Sequence, residues 1–195
     1  MAEALAENAD LADSWKKLDD LGDDVPDGWK RDPDYLKKLD DVVKNGPLNK
    51  HIFEGDVKPV IDPNTGLQKL APDGTKMWSV SGAHSKDALD PNKLRIKGEI
   101  TPVGNRYYKA KVEAKVEAFT GESYSPNDGW KVKSKESTFF PDSWSKEKVQ
   151  AEMAYAFNNK TSLGGNKYQG TMSDGTNLTI YLDEAGNVSS AFPEI

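Results

Sequence analysis

The chain of 195 residues contains no cysteine and only two histidines. The first absence excludes a disulfide framework, a thiolate zinc site and a thiol nucleophile together. The second argues against a metal held by several imidazoles. Long apolar runs are also missing: the longest is Met153 to Phe157, far below the roughly 20 residues a spanning helix needs. Met1 to Trp15 is acidic and alanine-rich, with neither a basic start nor an apolar stretch, so no secretory signal is expected there. What remains is 36% hydrophobic and 30% charged, the composition of a globular chain with one or two small domains and a substantial core.

The net charge of −6 argues at first against a phosphate-rich partner, which Lys and Arg would have to hold. The charge is unevenly spread, however. Residues 1–45 carry 13 acidic and 7 basic side chains, the whole of the −6, leaving 19 of each in residues 46–195. Within residues 85–135 there are 11 basic against 7 acidic groups, interspersed with Tyr107, Tyr108, Tyr124 and Trp130. Cations among aromatic faces suit single-stranded RNA, although many solvated strands look alike.

Hydrophobic spacing predicts two helices at the start, one carrying Leu5, Leu11, Trp15, Leu18 and Leu21, the other running from Pro33 to Asn45. Strands and turns are expected from residue 50. Val57–Ile61 and Leu94–Ile100 read as strands, and alternation from Tyr108 to Ala118 predicts one long strand. Ser145–Asn158 reads as a helix capped by Ser143 or Ser145. Tyr168–Met172, Asn177–Leu182 and Asn187–Phe192, separated by Gly-containing turns, predict a three-stranded antiparallel meander. The fold class expected is α+β, with two antiparallel sheet subdomains flanked by helices and preceded by a short helical segment.

Three segments could carry chemistry. His51 lies in Lys50-His51-Ile52-Phe53-Glu54-Gly55-Asp56, and His84 follows Val80-Ser81-Gly82-Ala83. Two imidazoles are the minimum that RNA cleavage by internal transesterification requires, because the substrate's 2′-hydroxyl is the nucleophile. Taken alone, two histidines more often serve packing or the surface. Gly82 would let backbone N–H groups approach a phosphate oxygen. The third segment runs from Lys131 to Ser145 and reads as a strand entering a helix, with lysines, hydroxyls and aromatics. A lysine there could neutralise charge at phosphorus and Thr138 could bond a base or phosphate; an exposed basic edge strand is the plainer reading.

In order along the chain, these segments resemble the EndoU endoribonuclease superfamily, especially the bacterial domains that serve as toxin modules of polymorphic and contact-dependent inhibition systems. His51, Gly55 and Asp56 match its His-hydrophobic-x-x-Gly-acid motif, and Gly82 and His84 its Gly-x-His motif. Thr138, Phe139, Phe140, Pro141, Trp144 and Ser145 match the bacterial Ser/Thr-aromatic-Phe-Pro-x-x-Trp-Ser/Thr block. The resemblance implies His51 and His84 as the acid–base pair and a catalytic lysine just before the hydroxyl residue. Both Lys133 and Lys135 qualify, strand parity places them on one face, and Lys135 is favoured. It further implies Thr138, Gly82, Phe192 and Ser137 on the substrate side. Relatives often end in Tyr-Pro where this chain has Phe192-Pro193, so uridine preference is not assumed. The separation between the histidines is longer than in viral and many animal relatives, with the turn from Asp62 to Gly66 as the expected insertion.

The expectation is therefore a metal-independent endoribonuclease toxin, with no cofactor, whose product ends in a 2′,3′-cyclic phosphate. Residues 1–47 would be an acidic helical linker and residues 48–195 the nuclease domain, although a helical lobe integral to that domain is an equal alternative for the former. RNA, with tRNA foremost, a cognate immunity protein and a larger delivery protein are the expected partners, and a target cell's cytoplasm the expected place of action. Two rivals compete. One is a catalytically silent protein-interaction module with an aromatic-basic face; the other, a metal-dependent hydrolase, is disfavoured because no tight ligand spacing occurs.

Overall fold

The computed structural model describes residues 32–104 and 106–195. The first predicted helix, over residues 5–21, lies outside them. The described residues divide into two compact units, one of 32–49 with 142–195 and the other of 50–141. The fold is α+β, with three antiparallel sheets among the described residues.

The first unit is built on two helices and a sheet. Helix α1 (Pro33–Lys44) starts where Asp32 Oδ1 accepts the N–H groups of Asp34 and Tyr35, at 2.9 and 3.3 Å. Its apolar face, Tyr35, Leu36, Leu39 and Val42, is buried, each side chain contributing on the order of 1.5–3 kcal/mol. The Tyr35 hydroxyl donates to the carbonyl of Ala151 at 3.2 Å, and burial followed by the charge of Glu152 pushes its pKa up. Helix α1 thus packs, within the first unit, against the helix that carries Ala151.

At its C-terminus, Asn49 Nδ2 donates to the carbonyls of Val42, Val43 and Asn45 and satisfies the orphaned acceptors of the last turn. Asn45 was expected to stop α1. It also accepts the Leu48 N–H through Oδ1 at 2.9 Å and so opens a second helix at once, α2 (Gly46–Phe53).

The helix predicted over Ser145–Asn158 forms over Lys146–Asn158, with Ser145 Oγ capping Lys148 N–H at 3.2 Å. It buries Val149, Ala151, Met153, Ala154, Ala156 and Phe157. Fully buried Glu152 on the same helix accepts from the Ser173 N–H at 2.8 Å and from the Ser173 hydroxyl, and pairs with Lys148 at 2.9 Å. The predicted meander is present, but its sheet has four strands, three of them the expected ones. The added strand is Thr161–Gly164, exposed at every residue. An edge strand with no buried face leaves no alternation to detect.

The second unit holds a hairpin and a larger sheet. Strand β1 (Asp56–Pro59) pairs with β2 (Trp78–Ser81). Strand β3 (Leu94–Val103) pairs with β4 (Tyr107–Lys115), which also pairs with β5 (Trp130–Val132) and β6 (Ser137–Phe139). Tyr108, Ala110, Val112 and Ala114 enter the core as the period of two predicts, with Tyr108 stacked on Phe139 at 4.6 Å between centroids. On the other face Glu113 is buried under Arg95 and Lys97. The long strand ends sooner than predicted: Val116–Thr120 is a short helix, α3, closed by Gly121 in the left-handed region. Alternation of Ala, Val and Phe with charges is compatible with one helical turn, and the predicted extension to Ala118 is corrected accordingly. The basic stretch from Lys131 is likewise two short strands, β5 and β6, separated by a bend at residues 134–135.

Candidate active site

Lys133 and Ser137 meet at the carbonyl of Gly82, and His51 and His84 flank the same turn. His51 stands in the last turn of α2, which Gly55 ends: Glu54 and Gly55 both donate their N–H to Lys50 O at 3.0 Å, and Gly55 takes the left-handed conformation. His84 follows two consecutive left-handed residues, Gly82 (φ 72°) and Ala83 (φ 62°). A Cβ on Gly82 would lie 2.2 Å from His51 O, so no other residue fits without displacing α2. The turn is tied down by Ala83 N–H on His51 O at 2.8 Å and His84 N–H on Ile52 O at 2.9 Å. Ala83 carries about 1 kcal/mol of strain in this region, and the fixed hydrogen bonds on either side offset it.

The two imidazoles are 5.4 Å apart between ring centroids and inclined by 34°. His84 is held from a second side, since its carbonyl accepts the Phe140 N–H at 2.9 Å and its Nδ1 lies 2.8 Å from Thr138 O. A carbonyl only accepts, so neutral His84 carries its proton on Nδ1 and keeps the lone pair on Nε2. Lys133 completes the group. Its Nζ donates to Gly82 O at 2.8 Å and to Ser137 Oγ at 2.6 Å, and Ser137 Oγ donates in turn to Gly82 O at 3.1 Å.

No carboxylate among the described residues forms an ion pair with Lys133, and burial lowers its pKa to about 8. Burial, then the charges of Lys133 and Lys58, lowers His51 to about 4, against a smaller opposing effect of Asp56. His84 is pushed well below its ordinary value by burial, Lys133 and His51. Asp56 is paired with Lys58 at 2.9 Å and Lys50 at 3.5 Å; burial pushes its pKa up, but the two ammoniums outweigh it and hold the carboxyl low. Near neutrality the group therefore consists of two neutral imidazoles and one buried ammonium.

The expected site residues divide clearly. His51, Gly82, His84, Lys133, Ser137 and Thr138 are brought together within the second unit. Lys135 is exposed in the bend after β5. The parity that put the two lysines on one face assumes an unbroken strand, whereas β5 ends at Val132. Phe192 lies on the last strand of the first unit, Val188–Pro193, half-buried against Tyr181 at 6.2 Å. The Thr138 hydroxyl is buried without a hydrogen-bond partner. The carbonyls of Ile52 and Thr138, which orient His84, escaped the sequence reading because a backbone acceptor leaves no residue signature. The described residues contain no group of three or more His, Cys, Asp or Glu suited to a metal ion, and no helix among them is long and apolar enough to cross a membrane.

Two imidazoles and an ammonium converging on a rigid glycine turn are equipped for acid–base chemistry beside an anionic ester. The chain belongs to the bacterial EndoU nuclease family, whose match extends over residues 45–195. It is also 40% identical, over 86 residues, to a Bacillus cereus protein described as a toxin; that stretch is 44% of this chain and 14% of the relative. The chain thus accounts for a small part of the relative's length.

Proposed function

We propose that the protein is an RNA endonuclease that uses the ribose 2′-hydroxyl as its nucleophile. The observation that carries this reading is the convergence of His51, His84 and Lys133 on Gly82. One imidazole removes the 2′-hydroxyl proton as the oxygen attacks phosphorus. The P–O5′ bond breaks, and the other imidazole returns a proton to the departing 5′-oxygen, leaving a 2′,3′-cyclic phosphate and a 5′-hydroxyl. His84, with Nδ1–H anchored and Nε2 carrying the lone pair, suits the proton acceptor; His51 suits the donor once a bound phosphate offsets the Lys133 charge. Lys133, in preference to Lys135, stabilises the charge that grows on the phosphoryl oxygens. Within the second unit Thr138 lies on the substrate side and Gly82 beside the phosphate.

The biological setting belongs to the same proposal. The toxin-described relative supports a toxin module carried by a larger delivery protein, acting on tRNA or other RNA in a target cell's cytoplasm and held in check by an immunity protein. The nuclease module corresponds to residues 48–195, with the acidic residues 1–47 leading into it. The proposed chemistry uses protein side chains alone. Incubation with total tRNA in EDTA tests it: cleavage with cyclic-phosphate ends, lost in His51→Ala and His84→Ala variants, is expected. Intact RNA, or equal cleavage by both variants, refutes the reading.

A further inference from the structure

We infer that Ser137 is a positioning residue for Lys133, fixing the ammonium against the Gly82 carbonyl, and that it makes no substrate contact. This rests on the nuclease reading above and replaces the substrate-side place that the family resemblance implies for Ser137. Its side chain is 0% exposed, and its hydroxyl is committed twice, accepting from Lys133 Nζ at 2.6 Å and donating to Gly82 O at 3.1 Å. Ser137 pairs across the sheet with Ala110, while the next residue, Thr138, pairs with Lys109 and points to the opposite face. One strand therefore presents a positioning hydroxyl and a second, unpartnered hydroxyl on alternate sides.

The closed triangle of Lys133 Nζ, Ser137 Oγ and Gly82 O has a physical purpose. Lysine has a flexible four-carbon stem, and one carbonyl would leave its ammonium free to swing. Two acceptors fix the direction of the third N–H. They also favour the charged form, which opposes the burial and the absence of a carboxylate. The titratable groups facing Lys133 are His51, from α2, and His84, from the glycine turn; Lys58 and Asp56 of β1 act on His51. Removal of the hydroxyl leaves the ammonium with Gly82 O alone.

The test compares Ser137→Ala and Ser137→Thr with the wild type in cleavage kinetics and in a pH titration of lysine Cε followed by 13C NMR. In Ser137→Ala the expected results are a roughly tenfold fall in kcat with KM and base preference unchanged, an alkaline limb moved to lower pH, and a Lys133 titration moved down with it. Ser137→Thr, which keeps the hydroxyl, should restore most of the rate. A raised KM or altered base preference with an unmoved titration overturns the inference and returns Ser137 to the substrate side. The NMR arm needs no activity. A wild type that does not cleave RNA therefore sinks the nuclease reading, and an unmoved Lys133 resonance sinks the positioning role independently.

Discussion

Replacing Lys133 by methionine should make the protein more stable and inactive. Methionine keeps most of the stem and removes the ammonium. The difference between 10.5 and about 8, at about 1.4 kcal/mol per pH unit, makes the buried charge cost about 3 kcal/mol below pH 8. Against this, two hydrogen bonds are lost, at about 1 kcal/mol each. No acceptor is orphaned, because Ser137 Oγ still donates to Gly82 O. The net expectation at pH 7 is a stabilisation of about 1 kcal/mol, or a rise of a few degrees in melting temperature.

The sign reverses with pH. A lysine whose folded pKa is depressed penalises the fold fully below about 8, and the penalty fades as pH rises to 10.5, where the unfolded chain also loses its proton. Near pH 10.5 only the hydrogen-bond loss remains, so the variant should be less stable than the wild type by up to about 2 kcal/mol. Urea unfolding of both proteins at pH 7 and pH 10.5, beside a cleavage assay, measures this. A variant destabilised at pH 7, or a difference that does not change with pH, refutes the account of Lys133 as a costly charge. A stabilised but inactive variant would show a site that trades stability for chemistry.

Other expectations follow from the same geometry. The rate in kcat/KM should fall on the acid side as His84, the proposed acceptor, gains a proton, and on the alkaline side as His51, the proposed donor, loses its proton and, near pH 8, Lys133 loses its charge; a profile flat from pH 5 to 9 with unchanged chemistry would contradict it. Stability should fall as pH drops from 6.5 to about 4, by about 3 kcal/mol from His51 alone, since the unfolded chain binds the proton that folded His51 refuses; a His51→Gln variant should lose that portion of the slope in unfolding experiments. Gly82→Ala, with its Cβ 2.2 Å from His51 O, should abolish activity and cost more than about 2 kcal/mol. Gly66→Ala, also left-handed but with open space around it, should cost only about 1 kcal/mol and leave cleavage intact.

Much of the frame is readable from side-chain period, and the failures have physical causes. The helix over Lys146–Asn158, the last three strands and the core face of β4 all bury one regular set of residues, which composition reveals. The exposed strand Thr161–Gly164 buries none. Helix α2 is hidden because Asn45-Gly46 reads as a stop, whereas Asn45 caps the end of one helix and the start of the next. In the site, the two histidines and Gly82 are legible as motifs. The choice between Lys133 and Lys135 is not, since it depends on where β5 ends, and a three-residue strand has too few side chains to declare its period. The tethering of His84 by backbone carbonyls is equally silent in sequence.

The pairing of β1 with β2 has a consequence for how such chains can vary. Asp56 to Pro59 and Trp78 to Ser81 are zipped together in register, so the excursion over residues 60–77 begins and ends at one place and its length does not reach the histidines. That excursion carries exposed Ile61, Leu67, Leu70 and Met77, and its closure cost grows only logarithmically, by about 0.6 kcal/mol for each doubling in length. Insertions, deletions or a grafted reporter peptide should therefore be absorbed there without disturbing catalysis. The number of residues between the two imidazoles is thus free to drift, while the two residues immediately before His84 are not.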